Sequence, residues 1–167
     1  MLFSAIEIID TAVRIEENGE VFYRGFAHTM ATGDVKDLFL YLAGEEARHR
    51  SQFADLTSSI KKLEISMDAP HEEYPEEYYA YLNAFADSHV FTKKDTGGNV
   101  AKRFATSNEA LEFAIQIELD SVLFYTEMKR FIHNSQWPIV DRIANEERGH
   151  YLKLTHMIGG HIHENIG

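Results

Sequence analysis

The sequence predicts an all-α fold: a four-helix bundle of two helical hairpins joined by a long crossover that contains a short extra helix. Three observations predict it. Long stretches repeat apolar residues at helical spacing. The only prolines, Pro70, Pro75 and Pro138, fall between those stretches. The second half of the chain also repeats the first.

The first helix is expected over about residues 3–29. ATGD (31–34) ends it, with Gly33 suited to a helix terminus and Asp34 to a cap for the next. The second helix is expected over 35–64, and a crossover over 65–105. Within the crossover, PEEYYAYLNAFADS (75–88) reads as a short helix begun by Pro75. Its apolar stripe is Tyr78, Tyr81, Leu82 and Phe85, packed against the bundle or a second subunit. DTGGN (95–99) reads as a turn. TSNE opens the third helix with capping-box spacing between Thr106 and Glu109, and that helix is expected to end near His133. WPIV opens the fourth, with Pro138 in its first turn, and Gly159–Gly160 are expected to close it before a solvated tail. Two short connections and one long one define the bundle. Residues 1–167 are expected to form one domain, with hairpins 3–64 and 106–158 and a tail 159–167.

Composition narrows the function. A net charge of −11 argues against a nucleic-acid or anionic-membrane surface, both of which need basic patches. There is no cysteine, so disulfides, thiolate metal sites and iron–sulfur clusters are excluded from this chain. No apolar run is long enough to span a membrane, and the N-terminus lacks the basic region of a secretory signal; a cytoplasmic location is the expectation.

The repeat is specific. AVRIEENGEVFY (12–23) aligns with AIQIELDSVLFY (114–125), and LAGEEARH (42–49) with IANEERGH (143–150). Helical phase places the shared polar residues on apolar seams. The second helix reads Phe39, Leu42, Glu46, His49, Phe53, Leu56, Ile60, Leu63; the fourth reads Val140, Ile143, Glu147, His150, Leu154, Met157. The first carries Ile6, Ile9, Val13, Glu16, Glu20, Tyr23; the third carries Leu111, Ile115, Glu118, Val122, Tyr125. Glu45 falls with Tyr41, Arg48 and Gln52, and Glu17 with Asp10 and Arg24, on outward faces.

Four helices thus direct Glu16, Glu46, His49, Glu118, Glu147 and His150 into one interior layer. An unpaired buried carboxylate is costly, but four ionised carboxylates balance two divalent cations. Oxygen donors with one imidazole per ion suit iron or manganese, with zinc an alternative. A lone Glu-x-x-His pair is ordinarily a surface hydrogen bond. Two at matching repeat positions on core seams are not, and a buried Glu–His salt-bridge layer would add little stability. Tyr23 and Tyr125 lie two turns beyond Glu16 and Glu118, placed either to pack or to bond a ligand carboxylate. Glu20 is a weaker candidate because its repeat partner is Val122; Asp120, Ser121, His156 and the tail residues His161 and His163 are weaker still.

These motifs, E…FY followed by LAxEExxH twice over, resemble the rubrerythrin branch of the ferritin-like superfamily, over nearly the whole chain. The resemblance implies a ferritin-like di-iron fold in which Glu46 and Glu147 bridge two metals. Glu16 with His49, and Glu118 with His150, complete the ligation, and Tyr23 and Tyr125 are the tyrosines beside the centre. It gives Glu46, Glu147, Tyr23 and Tyr125 a part in catalysis. The implied activity is a non-haem di-iron oxidoreductase of the oxidative-stress response, a peroxidase reducing hydrogen peroxide or dioxygen in a homodimer. Two departures stand out. The family's fused rubredoxin domain is absent, so electrons are expected from an external donor such as a rubredoxin-type protein. Ser121 also stands where many relatives have a further glutamate. The alternatives are iron binding, ferroxidase action or storage without peroxide turnover, and a bundle in which metal is only a staple.

Overall fold

The computed structural model describes residues 5–30, 32–67, 76–90 and 103–164, with the side chains of 63–67 and 161–164 outside the description. DTGGN (95–99) and Pro75 lie outside the described residues. Five α-helices are described: α1 (Ala5–Thr29), α2 (Asp34–Met67), α3 (Glu76–His89), α4 (Ser107–Met128) and α5 (Trp137–Glu164). Helix α1 packs along α2 and α4 along α5, and these hairpins meet through α2 against α5 and α1 against α4.

Local chemistry explains the boundaries. Gly33 has φ +124°, a conformation that glycine adopts without steric cost, and its carbonyl accepts the Asp37 amide at 3.1 Å. Asp34 is therefore the first residue of α2 rather than its cap, and its charge favours the helix start. Thr106 caps α4 by accepting the Glu109 amide at 3.2 Å, while Glu109 reaches back one residue further than a standard capping box, to the Ala105 amide at 2.7 Å. Thr106→Ala is expected to lower stability by about 1 kcal/mol, read as a reduced urea midpoint.

Helix α4 stops at Met128, earlier than the expected His133, and two single 3₁₀ turns, Lys129–Phe131 and Asn134–Gln136, lead into α5. Trp137 fixes this corner by donating to the Lys129 carbonyl at 2.9 Å. At the other end, α5 continues through Gly159–Gly160 to Glu164, so those glycines do not close it and residues 159–164 are helix, not tail. The crossover helix is rotated from its expected face. Leu82 and Ala86 are buried with half-buried Tyr79 and Phe85, whereas Tyr78 and Tyr81 are 52% and 49% exposed. It lies chiefly on α4.

The core forms two apolar clusters. One contains Ile8 to Ile15 of α1, Phe53 to Ile60 of α2, Phe124 to Met128 of α4 and Val140 to Ala144 of α5. The other contains Phe22 to Ala27, Val35 to Ala43, Ala110 to Ile117 and Leu154. On every bundle helix the predicted polar residues fall between the two, so the bundle is apolar at both ends and acidic in its middle layer.

Candidate di-metal site

The middle layer holds the six predicted residues. Glu16, Glu46, His49, Glu118, Glu147 and His150 are each no more than 2% exposed. They form two overlapping groups, Glu16–Glu46–His49–Glu147 and Glu46–Glu118–Glu147–His150, and within each the donor atoms lie within 4.8 Å of one another. Glu46 and Glu147 belong to both groups. They come from the two helices that carry the histidines, which is why one Glu-x-x-His turn from each hairpin supplies a shared acid and a private imidazole. The rings of His49 and His150 stack with centroids 5.5 Å apart.

Both imidazoles turn Nδ1 inward. His49 Nδ1 lies 2.7 Å from Glu147 Oε1 and 3.7 Å from oxygens of Glu16 and Glu46. His150 Nδ1 lies 2.8 Å from Glu147 Oε2 and 3.6 Å from Glu118 Oε2. His49 Nδ1 and Glu147 Oε1 are buried and close, yet neither is aligned for a hydrogen bond. Fully buried polar atoms are almost always hydrogen-bonded. Donor atoms that instead converge on a common point fit a cation, and a carboxylate-rich set with one imidazole per ion suits iron or manganese.

Electrostatics agree. Burial, then the neighbouring Glu147 and Glu16 charges, drive the Glu46 carboxyl well above its ordinary range. Burial and Glu147 raise Glu118 to about 8. Burial alone would lower His150, but the Glu118 and Glu147 carboxylates outweigh it and hold the imidazole up at about 10. His49 moves the same way for the same reasons, with Glu147, Glu16 and Glu46 as its partners. Burial would raise Glu147 too, but the hydrogen bond to His150 and the nearby His49 and His150 charges hold it well below the usual carboxylate range. Without cations the cluster keeps protons, which is the expected response of crowded carboxylates in a low-dielectric layer.

The tyrosines bond across the repeat. Tyr23 of the first half donates to Glu118 Oε1 at 2.5 Å, and Tyr125 of the second donates to Glu16 Oε1. Burial, then the carboxylate charges, raise both phenols far above their ordinary range, so they stay protonated donors.

The weaker candidates resolve differently. Glu20 is drawn to Arg24 and Arg50, each at 3.0 Å, and joins neither group. Asp120 accepts from Gln116 at 3.1 Å. Ser121 is buried. His161 and His163 have side chains outside the description. Sequence reasoning placed Glu45 outward with Arg48 and did not single out Glu146. Both back the histidines from outside the cluster: Glu146 lies 2.9 Å from His49 Nε2 and Glu45 3.8 Å from His150 Nε2. The doubled acid in each EExxH motif was their signal.

The rubrerythrin family model matches residues 7–88, covering most of α1, α2 and α3. Among solved structures, a Thermotoga maritima protein provisionally named a ferritin-like diiron-carboxylate protein is 25% identical. The alignment covers 95% of this chain and 96% of that one, with a TM-score of 0.71. A hypothetical protein from Pyrococcus furiosus is 18% identical over 94% of this chain and 89% of that one, with a TM-score of 0.63, which shows a shared fold. No curated protein matches the sequence. The family match over residues 7–88, the repeated motif and the two buried carboxylate–imidazole groups sharing one acid pair together show a rubrerythrin family domain in a ferritin-like di-iron fold, with no cysteine for a rubredoxin-type site.

Proposed function

We propose that the chain is a non-haem di-iron oxidoreductase that reduces hydrogen peroxide, or dioxygen, with electrons from an external protein donor. Glu46 and Glu147, common to both donor groups, would be shared by the two ions, and Glu16 with His49, and Glu118 with His150, would hold one position each. The sharing of Glu46 and Glu147 between the two donor groups carries this reading. Bound as a ferrous pair, the iron supplies the two electrons that, with two protons, turn peroxide into two waters.

The chain's own residues do the rest. The carboxylates balance the ionic charge and leave the layer close to neutral. Tyr23 and Tyr125 hold Glu118 and Glu16 by hydrogen bonds, which orients the non-bridging acids. Phe22, Phe53 and Phe124 are buried in the apolar clusters on either side of the layer and exclude bulk water from it.

Anaerobic ferrous protein is expected to consume one peroxide per iron pair, seen as near-ultraviolet absorbance of ferric iron, and to repeat the cycle when a reductant is supplied. Iron that stays ferrous in excess peroxide would sink the proposal. Buried Ser121, at the position of the expected extra glutamate, favours a second reading: iron is oxidised once and held. Steady-state turnover with a chemical reductant separates the two. Among the described residues no helix is long and apolar enough to cross a membrane.

A further inference from the structure

The motifs EEARH (45–49) and EERGH (146–150) begin with two acids. In each, the second acid enters the cluster. The first, about 100° round the helix, lies where α2 meets α5 and faces the histidine of the other helix. His49 presents Nε2 to Glu146 Oε2 at 2.9 Å, a hydrogen bond that needs the proton on Nε2 and leaves Nδ1 free for the cluster. His150 presents Nε2 to Glu45 Oε2 at 3.8 Å, too far for a hydrogen bond, and this buried nitrogen has no hydrogen-bond partner.

One side chain breaks the symmetry. Arg48 Nη1 lies 3.1 Å from Glu146 Oε2, and its Nη2 lies 2.6 Å from Glu45 Oε2. Its counterpart in the repeat is Gly149, so the second half offers no matching guanidinium. The same arginine therefore steadies Glu146 against His49 and engages Glu45 away from His150.

We propose that the two cation positions are unequal: Glu146, steadied by Arg48, anchors His49, while Arg48 draws Glu45 away from His150, so the Glu16–His49 position binds its ion more tightly. The inference rests on the di-metal reading. Its cause is that an imidazole donating its outer N–H to a carboxylate is fixed in tautomer and orientation and is the more basic ligand. Glu146, Glu45 and Arg48 are positioning residues, since they act through the histidines.

Divalent cobalt, titrated calorimetrically into metal-free protein, tests it. His150→Ala retains the Glu16–His49 position and His49→Ala retains the other; the first variant is expected to bind cobalt about 10-fold more tightly. Glu146→Ala in the His150→Ala background should weaken binding about 10- to 100-fold, whereas Glu45→Ala in the His49→Ala background should change it less than about threefold. A second readout separates positioning from folding. In the cobalt-loaded native chain, the paramagnetically shifted Nε2–H proton of His49 should persist in water and that of His150 should exchange away. Glu146→Ala should erase the first signal without altering the circular dichroism. Uptake of fewer than two cobalt ions by the native chain overturns the di-metal reading itself. Two ions bound with equal single-position affinities, or a Glu146→Ala variant that binds unchanged, overturn the inequality and leave the di-metal reading standing.

Discussion

Glu147→Ala is expected to abolish tight uptake of both metal ions, not one. Glu147 places one oxygen 2.7 Å from His49 Nδ1 and the other 2.8 Å from His150 Nδ1, and it belongs to both donor groups. Removing it takes an oxygen from each position and a negative charge from between two cations. Affinity at both positions should fall more than about 100-fold, since even outer partners of metal ligands are worth about 10- to 100-fold. Glu16→Ala removes an acid that belongs to one group only and should leave the Glu118–His150 position close to its native strength. Metal analysis after gel filtration reads the outcome as ions per chain: two for the native protein, none for Glu147→Ala, one for Glu16→Ala. A Glu147→Ala protein that retains one tightly held ion would show that the acid is not shared.

The metal-free protein is expected to lose thermal stability as pH rises from about 6 to 9, and the metal-loaded protein is not. The two groups with stated values act in the same direction. His150 is raised from 6.5 to about 10, so its proton contributes fully below pH 6.5 and that contribution is lost as pH climbs toward 10. Glu118 is raised from 4.5 to about 8, so through that window the folded chain holds a proton the unfolded chain has released, and stability again falls as pH rises. Each excess proton held by the folded state costs about 1.4 kcal/mol per pH unit. The depressed Glu147 carboxyl changes stability only under strongly acid conditions, below this range. A drop in melting temperature of about 10 °C is expected across the window. Bound cations displace these protons and abolish the slope. Calorimetry in chelator and with metal, at matched pH values, checks both halves; a metal-free melting temperature independent of pH would contradict the charge balance of the cluster.

The ligand layer was legible because it depends on features a one-dimensional pattern carries. Glu46, His49, Glu147 and His150 sit on the same helical phase as Phe39, Leu42, Ile143 and Leu154, and the repeat supplies an independent copy. The tyrosine partners were not legible in full. Spacing along α1 sets Tyr23 two turns beyond Glu16 but does not say which carboxylate it bonds; that is Glu118 on the other hairpin, a pairing fixed by how the hairpins dock. Glu45 reads as outward in the sequence and Glu146 does not stand out, for the same reason: their phase is outward on their own helices, and only the approach of α2 to α5 turns it toward a histidine. Gly159–Gly160 misled because glycine weakens a helix interior without preventing it, and here α5 carries on through the pair. The crossover stripe misled because tyrosine serves at a surface as readily as in a core. Leu82 and Ala86 decided the face.

The exchange of tyrosines between hairpins makes neither half self-sufficient. Tyr23 secures an acid of the second hairpin and Tyr125 an acid of the first, so a rotation or slide of either hairpin disturbs both ends of the centre at once. Assembly of the inorganic core and docking of the two hairpins should therefore occur as one cooperative event, with a half-sized fragment unable to mature alone.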